Sequence, residues 1–226
     1  ILLKILYLIY YMIVNFLIYF PLYFLVSSWI CVKEGYNFKR PLRNEMVRGA
    51  KGLAMELSIS HLAYKYIVPF GDEFKVMNCL KYLLAWDFIV FCMHYAFHHN
   101  DWLYQNVHKH HHETIYVSPF STTIITVSEH LLVGIVPIVV PLFFINMNAL
   151  AWTLMNTLIF VYGMVIHSTL KLPWDGVCLG ANEHATHHIY KQTNLGFFFP
   201  FWDYTMGTGS FPISRERLVD SIIAAY

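Results

Sequence analysis

Charged side chains are scarce in this chain. Asp, Glu, Lys and Arg make up 13% of its 226 residues, whereas ordinary soluble domains carry about 25%. The formal net charge is only +1, and no cluster of Lys and Arg marks a nucleic-acid-binding face. Hydrophobic residues make up 57% and aromatic residues 18%. This composition indicates one membrane-embedded domain rather than a soluble or nucleic-acid-binding protein.

Several common site types are also missing from the sequence. The four cysteines are scattered and form no Cys-x-x-Cys pair, which argues against a disulfide framework and a cysteine-ligated zinc site. Glu-x-x-His, the motif of carboxylate-bridged di-iron bundles, does not occur. A metal site in this chain must therefore draw on another residue type.

Long apolar stretches are plentiful, and a bilayer core needs about 20 apolar residues in a helix. They predict an all-α, polytopic membrane bundle of about four transmembrane helices. Residues 53–70 form a weaker span, and whether it crosses the membrane decides on which side the basic loop 35–51 lies. Asp87 lies inside a span, so we expect it to face the bundle interior. The apolar stretches cover residues 1–32, 53–70, 76–97, 124–145 and 149–170.

Histidine is unusually abundant, with thirteen residues, ten of them in three clusters near span ends. Neutral imidazole is the commonest metal ligand, and ten imidazoles are too many for one ion. Two ions with about four or five nitrogens each are expected, and imidazole alone does not choose among iron, copper, zinc and nickel. The clusters contain His94, His98 and His99; His108, His110, His111 and His112; and His184, His187 and His188.

The second and third clusters repeat one helical spacing. His108, His111 and His112 stand at i, i+3 and i+4, and the third cluster has the same spacing. Residues so spaced share one helix face, with Cβ atoms about 5–6 Å apart. Two such triplets facing each other could close a cage, and we expect His110, roughly 200° from His108, to point away from the shared face. Two membrane crossings separate these clusters, which predicts that all three meet at one membrane face.

The order, spacing and flanks of these boxes resemble the fatty acid hydroxylase / sterol desaturase superfamily of membrane oxidoreductases. Its pattern is His-x3-His-His, His-x2-His-His, a later His, and a further His-x2-His-His. The segments His-Lys-His-His-His-Glu113 and Trp202-Asp203-x-x-x-Gly207-Thr208 match its flanks, within about residues 75–210. The resemblance implies these metal ligands: His94, His98, His99, His108, His111, His112, His167, His184, His187 and His188.

The resemblance also implies an activity. It implies hydroxylation or desaturation of a lipid (sterol, fatty acyl or sphingoid) with dioxygen at two non-haem iron ions. Electrons would come from NAD(P)H through a reductase and a cytochrome b-type carrier, at the endoplasmic reticulum in a eukaryote. The expected regions are an N-terminal transmembrane and basic-loop region (1–75), a histidine-box domain (76–210) and a C-terminal tail (211–226).

Further residues are candidates for supporting roles, and no catalytic side chain is expected beyond the metal ligands. Ligating histidines usually donate their second N–H to a carboxylate or a carbonyl. The carboxylates beside the boxes are Glu113, Glu183, Asp101 and Asp203. The predicted lining of a substrate channel is Trp86, Phe91, Phe97, Phe120 and Phe160.

Departures from the family pattern leave the substrate open. Tyr95 stands where relatives often have Arg, Gly163 where some have His, and Ser128-Glu129-His130 where some have His-Pro-x-Glu. A second hypothesis is a His-rich metal-binding or transport protein without redox chemistry, which would need more polar residues along the spans. A third is a bis-His haem cytochrome, which would place histidine pairs inside facing spans rather than at span ends. Metal content and an absorption spectrum distinguish the three.

Overall fold

Helices joined by irregular segments make up the part of the chain that the computed structural model describes. The structure describes the backbone of residues 2–37, 40–67, 73–174 and 177–210. It describes the side chains of residues 15–37, 41–59, 73–174 and 177–210. No strand occurs within those ranges, which confirms the all-α prediction. The helices are α1 (Leu2–Lys33), α2 (Arg40–Ile67), α3 (Val76–His99), α4 (Val127–Phe143), α5 (Ala149–Ile166), α6 (Ala181–Tyr190) and α7 (Phe201–Met206).

Three helices in the described ranges are long and apolar enough to cross a membrane: Asn15–Lys33 within α1, then α3 and α5. Helix α4 is apolar but shorter, and it passes through a π-helical segment at His130–Ile135 and a 3-10 end at Val140–Phe143. Its prolines explain the irregularity, because proline lacks the N–H that a regular turn requires. The end of the weak span 53–70 lies outside the described residues. The whole of the tail 211–226 also lies outside them.

Helix α2 packs against the segment Pro119–Thr123, which follows the second histidine box. Two glycines allow this contact, because a Cβ at Gly49 or Gly52 would overlap the carbonyl oxygen of Phe120 or Thr123. The hydroxyl of Thr123 donates to the Gly49 carbonyl at 2.8 Å, and Tyr23 of α1 donates to the Phe120 carbonyl at 2.7 Å. Helices α1 and α2 thereby fix the backbone leading away from the second box.

Asp87 ties α3 to the loop before α7. Its fully buried carboxylate accepts hydrogen bonds from the backbone N–H of Phe198 (2.7 Å) and Phe199 (3.3 Å) and from the Trp202 indole (2.8 Å). Asp87 therefore faces the protein interior, as we expected. The loop has no regular structure, so the carboxylate supplies partners that a helix would otherwise provide.

We predict that Asp87→Ala destabilises the protein, because three donors lose a buried charged acceptor. Each unsatisfied buried donor costs roughly 1–3 kcal/mol. The apparent melting temperature in detergent should therefore fall sharply. Size-exclusion chromatography of heated samples measures it. Asp101→Ala, which removes an exposed carboxylate, is the matched control and should leave the melting temperature unchanged. Equal melting temperatures for both variants would contradict the role given to Asp87.

Candidate metal centre

All three histidine boxes meet at one end of the bundle, as the topology predicts. Helix α3 ends in the first box, and the short helical turns after it carry the second. Helix α5 ends immediately before His167, and α6 carries the third box. Four separate elements thus deliver imidazoles to one place, in a helical protein whose long apolar helices fit a membrane.

Five imidazoles form a first group, the five-histidine group. Four of their Nε2 atoms make a closed ring of contacts: His94 to His108 (3.0 Å), His108 to His112 (3.0 Å), His112 to His98 (3.2 Å) and His98 to His94 (3.2 Å). The Nε2 of His187 lies 3.1 Å from that of His112. All five ligand atoms lie within 4.8 Å of one another.

Four further imidazoles form the four-histidine group, again with all ligand atoms within 4.8 Å. The Nε2 of His167 lies 3.4 Å from that of His111 and 3.1 Å from that of His184, which in turn lies 3.2 Å from that of His188. The two groups are adjacent, since the His112 and His188 ring centroids are 4.6 Å apart.

These nitrogen–nitrogen separations fit a coordination shell. With metal–nitrogen bonds of about 2.1 Å, two ligands lie about 3.0 Å apart at a right angle and about 3.4 Å apart at the tetrahedral angle. The donor sets fit two ions held by imidazole alone.

The two triplets lie together, and each is divided between the groups. His184 and His188, at i and i+4, share the four-histidine group, while His187 joins the five-histidine group. On a helix, i+4 lies about 40° and i+3 about 60° from residue i, on opposite sides. The second box repeats this division, with His108 and His112 in one group and His111 in the other.

Two clustered histidines lie outside both groups. His99 is exposed, stacks on Tyr95 and donates its Nδ1–H to the Tyr95 carbonyl at 2.9 Å. It follows His98 by one residue and therefore points to another side of α3, so we remove it from the proposed ligands. His110 points away as expected, toward Glu113 (3.3 Å) and Arg48 (3.4 Å).

Hydrogen bonds behind the rings orient five of the nine imidazoles. A carbonyl oxygen can only accept, so each Nδ1 facing one must carry the proton and leave Nε2 with a free lone pair. These Nδ1 atoms face the carbonyls of Leu195 (His94, 2.7 Å), Thr193 (His187, 2.9 Å), Thr114 (His188, 2.9 Å) and Gly163 (His167, 2.9 Å), and the carboxylate of Glu129 (His108, 2.6 Å).

Glu129 is the supporting carboxylate that sequence reasoning did not select. It is buried, and the signal for it was a lone carboxylate inside the apolar stretch 124–145. Among the four predicted carboxylates, Asp203 supports an imidazole indirectly. It accepts a hydrogen bond from the N–H of Leu195 (2.6 Å), and the Leu195 carbonyl in turn orients His94. Glu183 caps α6 through the N–H of Gly180 (3.1 Å).

The other two predicted carboxylates are at the surface. Glu113 pairs with Arg48 at 2.7 Å and with His110, and Asp101 is exposed at the start of the short helix after the first box. Their positions next to the boxes in sequence therefore do not bring them to the imidazole groups.

Burial keeps the imidazoles in the form that binds metals. Desolvation lowers the pKa of His184, His187 and His188 well below the usual value for histidine, and the neighbouring imidazoles lower it further. The pKa values of His108 and His111 are lowered by the same two causes. Neutral rings at physiological pH are what ligation requires.

A cavity of about 160 Å³ lies against both groups. His94 and His108 line it from the five-histidine group, and His111, His167 and His184 from the four-histidine group. Its remaining wall is mainly apolar and includes three aromatic residues, Trp86, Phe160 and Phe197.

Two of the five predicted channel aromatics, Trp86 and Phe160, line this cavity. The other three pack elsewhere: Phe91 against Trp202, Phe97 against His108, and Phe120 against Tyr23. Sequence proximity to a box was therefore a poor guide to cavity lining, because the orientation of each helix decides which aromatic faces the cavity.

A helical membrane protein with two adjacent imidazole groups is the class that this fold and site define. Residues 79–208 match the sequence model of the fatty acid hydroxylase family. The chain therefore belongs to that family, as its histidine boxes predicted. No solved structure is significantly similar to it.

Curated relatives carry names from lipid metabolism. The chain is 30% identical over 143 residues to Delta(7)-sterol 5(6)-desaturase erg32 of Schizosaccharomyces pombe, covering 62% of this chain and 42% of that protein. It is 30% identical over 167 residues to methylsterol monooxygenase erg25A of Aspergillus fumigatus, covering 67% and 53%. Very-long-chain aldehyde decarbonylase GL1-7 of Oryza sativa subsp. japonica is 30% identical over 135 residues, covering 54% and 21%. The chain thus spans about half or less of these relatives.

We predict that His98→Ala lowers the metal content of the purified protein, because it opens the ring of the five-histidine group. His99→Ala, its immediate neighbour, should retain full metal content. Elemental analysis of detergent-purified protein measures both. Equal metal content in the two variants would remove His98 from the ligand set.

We predict that Glu129→Gln weakens metal binding about 10–100-fold, the usual cost of losing an outer partner of a ligating histidine. The amide can present its NH₂ instead of an acceptor to His108. Competition with a chelator measures the affinity. Glu113→Gln, at the surface ion pair with Arg48, is the matched control and should bind metal normally. An unchanged affinity in Glu129→Gln would show that His108 is oriented by other contacts.

Proposed function

We propose that this protein is a membrane di-iron oxidoreductase that hydroxylates or desaturates a lipid with dioxygen. The observation that carries this proposal is a cavity with a mainly apolar wall that is bordered by imidazoles of both groups. A ligand in that cavity lies beside both candidate ions at once. The names of the relatives, which include a sterol desaturase and a methylsterol monooxygenase, support a lipid-modifying oxidoreductase.

The donor set is compatible with iron but does not choose it over other metals. Imidazole binds iron, copper, zinc and nickel, so the family membership rather than the ligand type favours iron. The nine grouped imidazoles would hold the two ions: His94, His98, His108, His112 and His187 for one, and His111, His167, His184 and His188 for the other. Bound iron would supply the oxidising chemistry toward C–H bonds, which protein side chains lack.

The remaining tasks belong to this chain's own residues. Three groups orient imidazoles by accepting a hydrogen bond from a ring Nδ1–H: the carbonyls of Leu195 and Thr193 and the carboxylate of Glu129. These bonds fix the ring planes before any ligand arrives. Trp86 and Phe160 form part of the apolar wall that would hold a lipid chain and exclude water from the reacting atoms. No acid or base at the cavity is needed beyond the metal ligands.

Electrons must come from outside the chain. We infer a reductase that uses NAD(P)H and a cytochrome b-type carrier as redox partners, and the endoplasmic reticulum as the location in a eukaryote. The candidate membrane helices support an integral membrane protein. The electron acceptors would be the iron ions held by the two adjacent imidazole groups, whose members approach to 4.6 Å between ring centroids.

We predict that His108→Ala and His188→Ala each abolish formation of the lipid product, because each removes a ligand from a different group. Lipid profiling of cells with and without the chain first identifies the product, and the variants are then compared at equal expression. His110→Ala, a clustered histidine outside both groups, should retain activity. Equal product from all three variants would overturn the ligand assignment.

Iron analysis separates this function from its rival. About two non-haem irons per chain together with an altered lipid profile supports the oxidoreductase. Bound metal of any kind without a lipid change, in cells that contain the reductase and carrier, would favour a metal-binding or transport protein instead.

A further inference from the structure

The last helix, α7, presents an uncharged aromatic face outward. Phe201 is 58% exposed and Tyr204 74% exposed, with Met206 half exposed beside them. From residue 192 to residue 210 the only charged side chain is Asp203, and it is buried. The exposed residues of α7 and its end, Phe201 and 204–207, thus carry no charge, which is unusual for a water-facing surface, where a polar rim is normal.

Helix α7 is attached to the lipid-facing side of α3. Residues Met77, Leu80 and Leu84 follow one another at i+3 and i+4 and are all more than half exposed, so they form an apolar stripe along a candidate membrane span. Phe88 continues the stripe by one turn, and its ring lies 4.8 Å from that of Trp202. The outer face of α7 therefore continues the surface of α3 that borders the bilayer.

The contact between Trp202 and α3 also sets the depth of α7 relative to the first histidine box. Phe88 and Phe91, the contacts of Trp202, precede His94 by six and three residues. At about 1.5 Å of rise per residue, α7 lies about 5–9 Å from the level of the first box toward the membrane interior. Interfacial helices bury their apolar faces to about 5–10 Å in the headgroup and acyl boundary.

We propose that α7 is an interfacial membrane element, whose exposed Phe201, Tyr204 and Met206 insert into the lipid leaflet on the side of the imidazole groups. Asp87 makes this possible, because it satisfies the N–H groups of Phe198 and Phe199 in the irregular loop that enters the membrane boundary. The occupant of the face is phospholipid, rather than a second copy of the chain or a soluble partner. This inference is independent of the proposed chemistry.

Site-directed spin labelling of the full chain in phospholipid bilayers tests the proposal. Exposed Cys92 and half-buried Cys178 are first replaced by Ser, and the unlabelled background is checked for residual reaction of buried Cys31 and Cys79. Nitroxides are then placed by Phe201→Cys and Tyr204→Cys. Leu84→Cys on the α3 stripe serves as the lipid reference, and exposed Glu73→Cys before α3 serves as the water reference.

The measured quantity is the collision rate of each nitroxide with oxygen, which enters lipid, and with a water-soluble nickel chelate, which does not. We expect labels at 201 and 204 to fall between positions 73 and 84 and nearer to position 84, with clearly greater access for oxygen than for the chelate. Access for the chelate equal to that at position 73 would overturn the proposal. Protection combined with dipolar broadening that disappears on dilution with unlabelled protein would also overturn it, because a second copy would then cover the face. Two label positions guard against a local folding defect at either one.

Discussion

The hydrogen bonds behind the imidazole rings are the constraint on which the candidate metal centre depends. An imidazole has two nitrogens, and only one can offer a lone pair to an ion while the ring stays neutral. Carbonyl acceptors behind His94, His167, His187 and His188 force the proton onto Nδ1 and leave Nε2 available. The geometry of the centre is therefore a property of the loops that carry those carbonyls as much as of the histidines.

Two buried carboxylates hold the most important of these loops. Asp203 accepts from the N–H groups of Leu195 (2.6 Å) and Gly196 (2.8 Å), and Asp87 accepts from Phe198 and Phe199 two residues further along. The loop has no helical hydrogen bonds of its own there, and an unpaired N–H in apolar surroundings costs several kcal/mol. One carboxylate belongs to a candidate membrane helix and the other to the closing segment, so together they join the membrane part of the fold to the imidazole groups.

Much of this arrangement could be predicted because it rests on local rules. Apolar stretches indicated α1, α3, α4 and α5, the crossings placed the boxes at one face, and Asp87 was expected to face inward. The basic loop expected at 35–51 is wrong over most of its length, because residues 40–51 belong to helix α2. The family followed from box order and flanking residues, and residues 79–208 confirm it. Other details could not be predicted. Glu129 is distant in sequence from His108, and neither spacing nor composition shows that a π-helical turn at Tyr104–His108 brings the two together.

Helical periodicity by itself determined that imidazoles would cluster at the ends of α3 and α6, since i and i+4 residues share a side of any helix. Periodicity says nothing about how one helix is rotated against another. The division of each triplet between two groups and the pairing of His187 with imidazoles of the first and second boxes were decided by how the helices are rotated against one another. Those contacts exist once the helices have packed, because the partners lie tens of residues apart in sequence and meet through tertiary folding.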